Sequence, residues 1–265
     1  MTTIPAHPVM NFYGFTRMPF NKDFESVDAF HSPSLADTVA MLGLGVESED
    51  ILLVSGPIGS GKSVALRSFI AALDPNRFSP IYLRGLGLSA ADLVKSILLA
   101  LLVEPPFNYA KARALYFKSV AEQSRKPVVV IDDAQDMKES ALLSVKSLVN
   151  FNSDSKSKIT FILCGQPELK ETLRYSRLAS VHQRIRHWVE FSGLSLKDTC
   201  EYISHAVMFA GRPTQIFSDT AMAEIHKRSL GIPRQINRVC LRTLFEGAAR
   251  GRTIIDDANV VSDEV

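Results

Sequence analysis

At 265 residues, 46% of them hydrophobic, the chain is long enough for one large domain with a buried core, or for a large domain with a small companion. Lys and Arg total 30 against 28 Asp and Glu, so the formal charge is only +2. That excludes a general polycation and confines any nucleic-acid surface to a local patch. No apolar run reaches the roughly 18 to 20 residues of a membrane span, and the N-terminus lacks the apolar segment of a signal peptide. A cytoplasmic protein is expected. Cys164, Cys200 and Cys240 are far apart and lack metal-ligand spacing, so they read as buried small hydrophobes in a reducing compartment.

Residues 1 to 33 are aromatic and irregular, with Phe12, Tyr13, Phe15, Phe20, Phe24 and Phe30 among prolines. Such a segment is too apolar to hang free and is expected to pack on the core. A helix over about 35–44 leads into Ile51-Leu52-Leu53-Val54, an apolar run that reads as a buried strand. A glycine-rich loop follows, then a helix over 64–73 with Leu66, Phe69, Ile70 and Leu73 at helical spacing. A strand over 80–83 precedes a helix over 89–102, with Ser89 as its N-cap. Pro105-Pro106 breaks the chain, and a helix continues to about 124. Strands over 128–131, 159–164 and 188–191 complete the pattern, with a helix over 141–150 between the first two. Short all-apolar strands alternating with helices predict a parallel sheet covered on both faces. Beyond Leu194 only helices are expected, over 196–210, 218–229 and 234–250. The predicted division is 1–33, 34–193 and 194–265.

Gly56-Pro57-Ile58-Gly59-Ser60-Gly61-Lys62-Ser63 fits G-x-x-x-x-G-K-[ST], and it lies between a strand and a helix, as that motif requires. Glycines let backbone N–H groups turn inward around phosphate oxygens, and the helix N-terminus adds positive potential. Lys62 can reach the β- and γ-phosphates, and the Ser63 hydroxyl can hold Mg²⁺. The cofactors expected are therefore ATP and Mg²⁺. Val128-Val129-Val130-Ile131-Asp132-Asp133 supplies the matching acidic strand end. Asp132 is the candidate Mg²⁺ residue, and Asp133 the candidate base that polarises the attacking water.

With these motifs the chain resembles the AAA+ ATPases, in the branch of the ExeA-like secretion ATPases and the transposition helpers of the MuB, TniB and TnsC type. Further matches are Asn11 to Phe15, Met18 to Phe20, Ile131 to Gln135, Leu148 to Phe151, Gly165 to Leu169, Gln183 to Ile185 and Gly231 to Asn237. The resemblance implies an AAA+ P-loop core, with a five-stranded parallel sheet flanked by helices, and a small helical lid. It implies that Gln166 is a sensor reaching the γ-phosphate or the water. Arg184 is implied as an arginine finger inserted into a neighbouring copy, with Arg174, Arg177 and Arg186 close by in sequence. Arg234 is implied as the lid's sensor. The adenine is expected against the aromatic N-terminal segment. Asp133 departs from the family, which more often has Glu there, so slow hydrolysis is expected.

The role implied first is regulation of DNA transposition. ATP-bound copies would assemble as a ring or filament on duplex DNA and recruit a transposase, and hydrolysis would disassemble them. Arg84, Lys95, Lys111 and Arg113 are the candidate phosphate contacts. Tyr109 and Tyr116 lie among them and are expected to pack in the core instead. The alternative is an ExeA-like ATPase that assembles an envelope complex. The chain shows no membrane segment after its helical part, which tilts the expectation toward transposition. It shows no winged helix there either, which disfavours an initiator.

Overall fold

A computed structural model describes residues 8–21, 33–48, 51–150 and 158–261. Its helices are α1 (Pro8–Tyr13), α2 (Pro33–Ser48), α3 (Lys62–Ala72), α4 (Ala90–Ala100), α5 (Tyr109–Ala121), α6 (Glu139–Leu148), α7 (Pro167–Leu173), α8 (Ala179–His182), α9 (Leu196–Phe209), α10 (Asp219–Ser229) and α11 (Pro233–Ala249). The strands are β1 (Ile51–Ser55), β2 (Phe78–Arg84), β3 (Lys126–Asp132), β4 (Thr160–Gly165) and β5 (Ile185–Glu190). Two compact units result: Leu35–Pro57 with Ala65–Phe191, and the described residues of Met1–Ser34, Ile58–Val64 and Ser192–Val265.

The first unit is the α/β unit, built on one parallel sheet in the order β2-β3-β4-β1-β5. Its pleat sorts side chains by parity. Ile51, Leu53, Val129, Ile131, Phe161 and Leu163 enter one cluster with α4, α5 and α6. Leu52, Val54, Val128, Val130, Ile162 and Cys164 enter the other, with Leu42 and Val46 of α2 and Leu66 and Phe69 of α3. Because both faces are covered, the central strands carry no polar alternation. Ser89 caps α4 as expected. Its Oγ accepts from the Asp92 N–H, and the Asp92 carboxylate accepts from the Ser89 N–H, both at 3.2 Å. The Ser89 hydroxyl also donates to the Asp92 carboxylate, and this bond first, then that from the Ser89 N–H, holds the Asp92 carboxyl below its ordinary range.

Strand β5 begins at Ile185, three residues ahead of the expected Trp188. It is an edge strand, so Arg186 and Glu190 are exposed while Ile185 and Val189 are buried, and the apolar run is interrupted. The helix α7 was not expected at all. Pro167 occupies its first turn, where a missing N–H costs nothing.

The second unit is helical. Tyr202, Ile203, Ile225, Val239 and Leu244 of α9, α10 and α11 form its core, and Val9, Tyr13, Phe15 and Phe20 join them. The aromatic N-terminal segment was expected to pack on the core, without the helical part being singled out. Its described apolar residues lie inside the helical unit, and residues 8–13 are helical rather than irregular. The Tyr13 hydroxyl donates to the Arg252 carbonyl at 3.0 Å, and Arg212 donates to the Tyr13 carbonyl. Phe24 and Phe30 lie outside the described residues. The loop Ile58–Val64 also groups with this unit, whose other cuts fall after Ser34 and before Ser192.

Candidate nucleotide site

The glycine loop leaves β1 after Ser55. Gly59 and Gly61 adopt φ of +79° and +98°, a region strained for any residue with a Cβ. Arg234 lies directly against Gly59: a Cβ there would sit 2.4 Å from the Arg234 Cβ. The Arg234 N–H also donates to the Gly59 carbonyl at 3.3 Å. Between the glycines, the Ser60 Oγ is buried with no hydrogen-bond partner. A buried hydroxyl left unpaired costs about 1–3 kcal/mol, so a missing acceptor is implied. The helix α3 starts at Lys62, and the first-turn N–H groups of a helix point outward from its N-terminus. Hydroxyl, ammonium and first-turn amides form a donor set that fits a polyphosphate anion.

The acidic strand end lies in the α/β unit. Asp132 is the last residue of β3 and is 8% exposed. Its Oδ2 accepts from the Tyr82 hydroxyl at 2.5 Å, and its Oδ1 accepts from the Asp133 N–H at 3.0 Å. Burial first, and then the bond to Asp132, push the Tyr82 phenol well above its ordinary value, so it remains a donor at neutral pH. No motif in the sequence pointed to Tyr82; only the pairing of β2 with β3 brings it here.

Asp133 is exposed, with φ 54° and ψ 43°, in a left-handed conformation that aspartate tolerates better than most residues. It precedes a 3-10 turn over Ala134–Asp136. Gly85 braces this turn: its N–H donates to the Asp132 carbonyl at 2.7 Å, and a Cβ on it would lie 2.4 Å from the Asp133 carbonyl oxygen. Gln166 follows β4 at the N-cap position of α7, without a side-chain cap. Asp132 and Ser63 offer hard oxygen donors, the chemistry Mg²⁺ prefers. Among the described residues no group of three His, Cys, Asp or Glu is placed to hold a metal. A cleft of about 440 Å³ opens at the C-terminal ends of β1, β4 and β5; its lining includes Gly56 and Pro57 but also Glu168, Glu171 and Glu190, and none of Lys62, Ser63, Asp132 or Asp133. Parallel sheets bind ligands at this edge.

Arg184 lies between α8 and β5 and is partly buried. Arg174 pairs with Glu171 at 3.1 Å and Arg177 with Glu139 at 2.8 Å, so these two alternatives are engaged within their own chain. The four candidate DNA contacts are spread over three elements. Arg84 ends β2, Lys95 sits on α4 with its ammonium 5.4 Å from the Phe107 ring centroid, and Arg113 on α5 lies 5.1 Å from that of Phe117. Lys111 and Arg113 are two apart on one helix and therefore face different ways. Tyr116 packs in the core as expected, its hydroxyl donating to the Leu148 carbonyl at 3.0 Å. Tyr109 does not: as the first residue of α5 it is exposed. All three cysteines are free, Cys164 and Cys240 buried and Cys200 partly so. Burial pushes the Cys240 thiol well above its ordinary value and raises that of Cys200.

Residues 46–173 match the family model of the AAA domain. The chain is 27% identical over 264 residues to general secretion pathway protein A of Aeromonas hydrophila, a match covering 96% of this chain and 48% of that protein. It thus spans about half the length of that relative. Among solved structures it is similar to Cdc6p of Pyrobaculum aerophilum, with a TM-score of 0.65 and 17% identity over 89% of this chain and 67% of that one. It is also similar to the RuvB Holliday junction branch migration motor of Thermotoga maritima, with a TM-score of 0.56 and 19% identity over 89% and 69%. Among the described residues no helix is long and apolar enough to cross a membrane. The fold is that of an AAA+ P-loop NTPase, with the AAA domain matched over residues 46–173.

Proposed function

We propose that this chain binds ATP with Mg²⁺, hydrolyses it, and uses its nucleotide state to control assembly with other copies. The observation that carries the reading is the loop around Ser60, where a buried hydroxyl without a partner lies between two left-handed glycines and beside Arg234. In this reading the Gly56–Ser63 loop wraps the phosphates, Lys62 neutralises the β- and γ-oxygens, and Arg234 contacts the γ-phosphate. Ser63 and Asp132 would hold Mg²⁺, which would supply positive charge to the transferring phosphoryl group. Tyr82 orients the Asp132 carboxylate. Asp133 takes the proton from the attacking water as a new P–O bond forms. The bond to the β,γ-bridging oxygen breaks, giving ADP and phosphate. Gln166 positions the water, and Arg184 of a neighbouring copy stabilises the departing charge.

The similarity to general secretion pathway protein A runs along 96% of this chain and supports assembly of an envelope secretion complex as the biological role. The transposition role rests on the motif resemblance and on four basic residues, two of which face apart. One experiment separates them. ATP hydrolysis and particle mass are measured for the wild type and Lys62→Ala, with ADP, with a non-hydrolysable analogue and without nucleotide, each with and without mixed-sequence duplex DNA. Lys62-dependent hydrolysis with ATP-driven assembly in the absence of DNA is the expected result. Assembly only on DNA would restore the transposition reading, and absence of Lys62-dependent hydrolysis would remove both.

A further inference from the structure

Gln135 and Asp136 are the polar side chains of the turn after β3 that the roles above leave unused, and Gln135 reaches out of that turn to the end of β4. Its Oε1 accepts from the Gln166 N–H at 3.1 Å. Its Nε2 lies 3.2 Å from Asp136 Oδ2 and 3.4 Å from Asp133 Oδ1, the second distance long for an amide donor. The amide can point only one way. An N–H can only donate and an ionised carboxylate can only accept, so reversing the amide would set donor against donor and acceptor against acceptor. Gly165 makes room for it, since a Cβ at 165 would lie 2.7 Å from Gln135 Oε1.

We propose that Gln135 is a positioning residue that holds the Asp133 carboxylate in register with the Gln166 loop, so that the base and the sensor aim at one water. The proposal rests on the ATPase reading above. Asp133 needs such a partner because it is exposed. A rigid amide tied to the end of β4 supplies the missing reference point, as outer-shell hydrogen bonds do for catalytic groups generally.

The test compares kcat, KM and the Kd for a fluorescent ADP analogue in the wild type, Gln135→Ala, Gln135→His, Asp133→Asn and the double variant Asp133→Asn/Gln135→Ala. The wild type and Lys62→Ala, run alongside, report on the ATPase reading alone. Gln135→Ala is expected to lower kcat about tenfold while KM and Kd stay within about twofold, the signature of a group felt only in the transition state. The unchanged Kd also shows that the variant is folded. Gln135→His keeps one donor and one acceptor and should recover part of the rate. Adding Gln135→Ala to Asp133→Asn should cost no more than about twofold further, because the two side chains act as one unit. A kcat for Gln135→Ala within twofold of wild type overturns the proposal. So does a loss of equal size in the Asp133→Asn background, or a KM and Kd that rise as far as kcat falls.

Discussion

The glycine loop and the set of four basic residues make opposite cases. In the loop, the proposed function rests on consecutive residues whose backbone angles and burial are set by the chain itself, so the motif and its geometry arrive together. Arg84, Lys95, Lys111 and Arg113 share only a charge, and that does not say which way a side chain points. The helical phase separates Lys111 from Arg113, and aromatic rings neighbour Lys95 and Arg113. A contiguous motif predicts a site, whereas basic residues spaced along a chain predict one only after the surface is known.

Substitutions can break this contrast or sharpen it. The largest effect belongs to Lys62→Ala, which should lower ATP hydrolysis by about 100-fold or more in a phosphate-release assay. Gly59→Ala follows, since the new Cβ meets both a positive φ and the Arg234 side chain. A penalty of about 1–2 kcal/mol should appear as roughly tenfold weaker binding of a fluorescent nucleotide. Tyr82→Phe removes the donor to Asp132 but leaves the ring. Because Tyr82 is 44% exposed, a solvent-discounted loss of about 1 kcal/mol is expected, read as a severalfold fall in kcat. Asp133→Glu lengthens the base, and single-turnover rates should rise severalfold. Its left-handed backbone costs Glu about 0.5 kcal/mol more than Asp, so Tm should fall by about 1–2 °C. At the bottom of the scale, Lys111→Ala should change duplex DNA affinity by less than about twofold at physiological salt, where a dedicated phosphate contact would cost more and flatten the salt dependence. A large loss there would dissolve the contrast.

How much could be read in advance follows the same division. Strands β1, β3 and β4 were legible because burial on both faces leaves an unbroken apolar run. The edge strand β5 was misplaced because Arg186 and His187 interrupt its pattern. The helix α1 was missed since six residues are too few to show helical periodicity, and it is packing of Val9 and Tyr13 that holds it. Asp132 and Asp133 could be picked out by their place after an apolar run. Tyr82 and Gln135 could not, because their meaning lies in neighbours across strand pairs and turns that lie far away in sequence. Arg234 was implied by the resemblance alone, since its contact with Gly59 joins residues far apart in sequence.

The bond from the Tyr13 hydroxyl to the Arg252 carbonyl joins residues 239 positions apart. On the ribosome that separation becomes a delay: at 5–20 residues per second, about 12 to 48 s pass between the synthesis of the two partners. Throughout that interval Phe15 and Phe20 have no core to enter, and the six-residue helix α1 is too short to persist alone. The newborn chain therefore carries this apolar segment exposed until its last long helix emerges, which makes the segment the expected holding point for a chaperone. Limited proteolysis of stalled ribosome-bound chains would test this. Residues 8–20 should become protected only once residues up to about 255 have cleared the exit tunnel, and protection in chains stopped near 195 would rule the delay out.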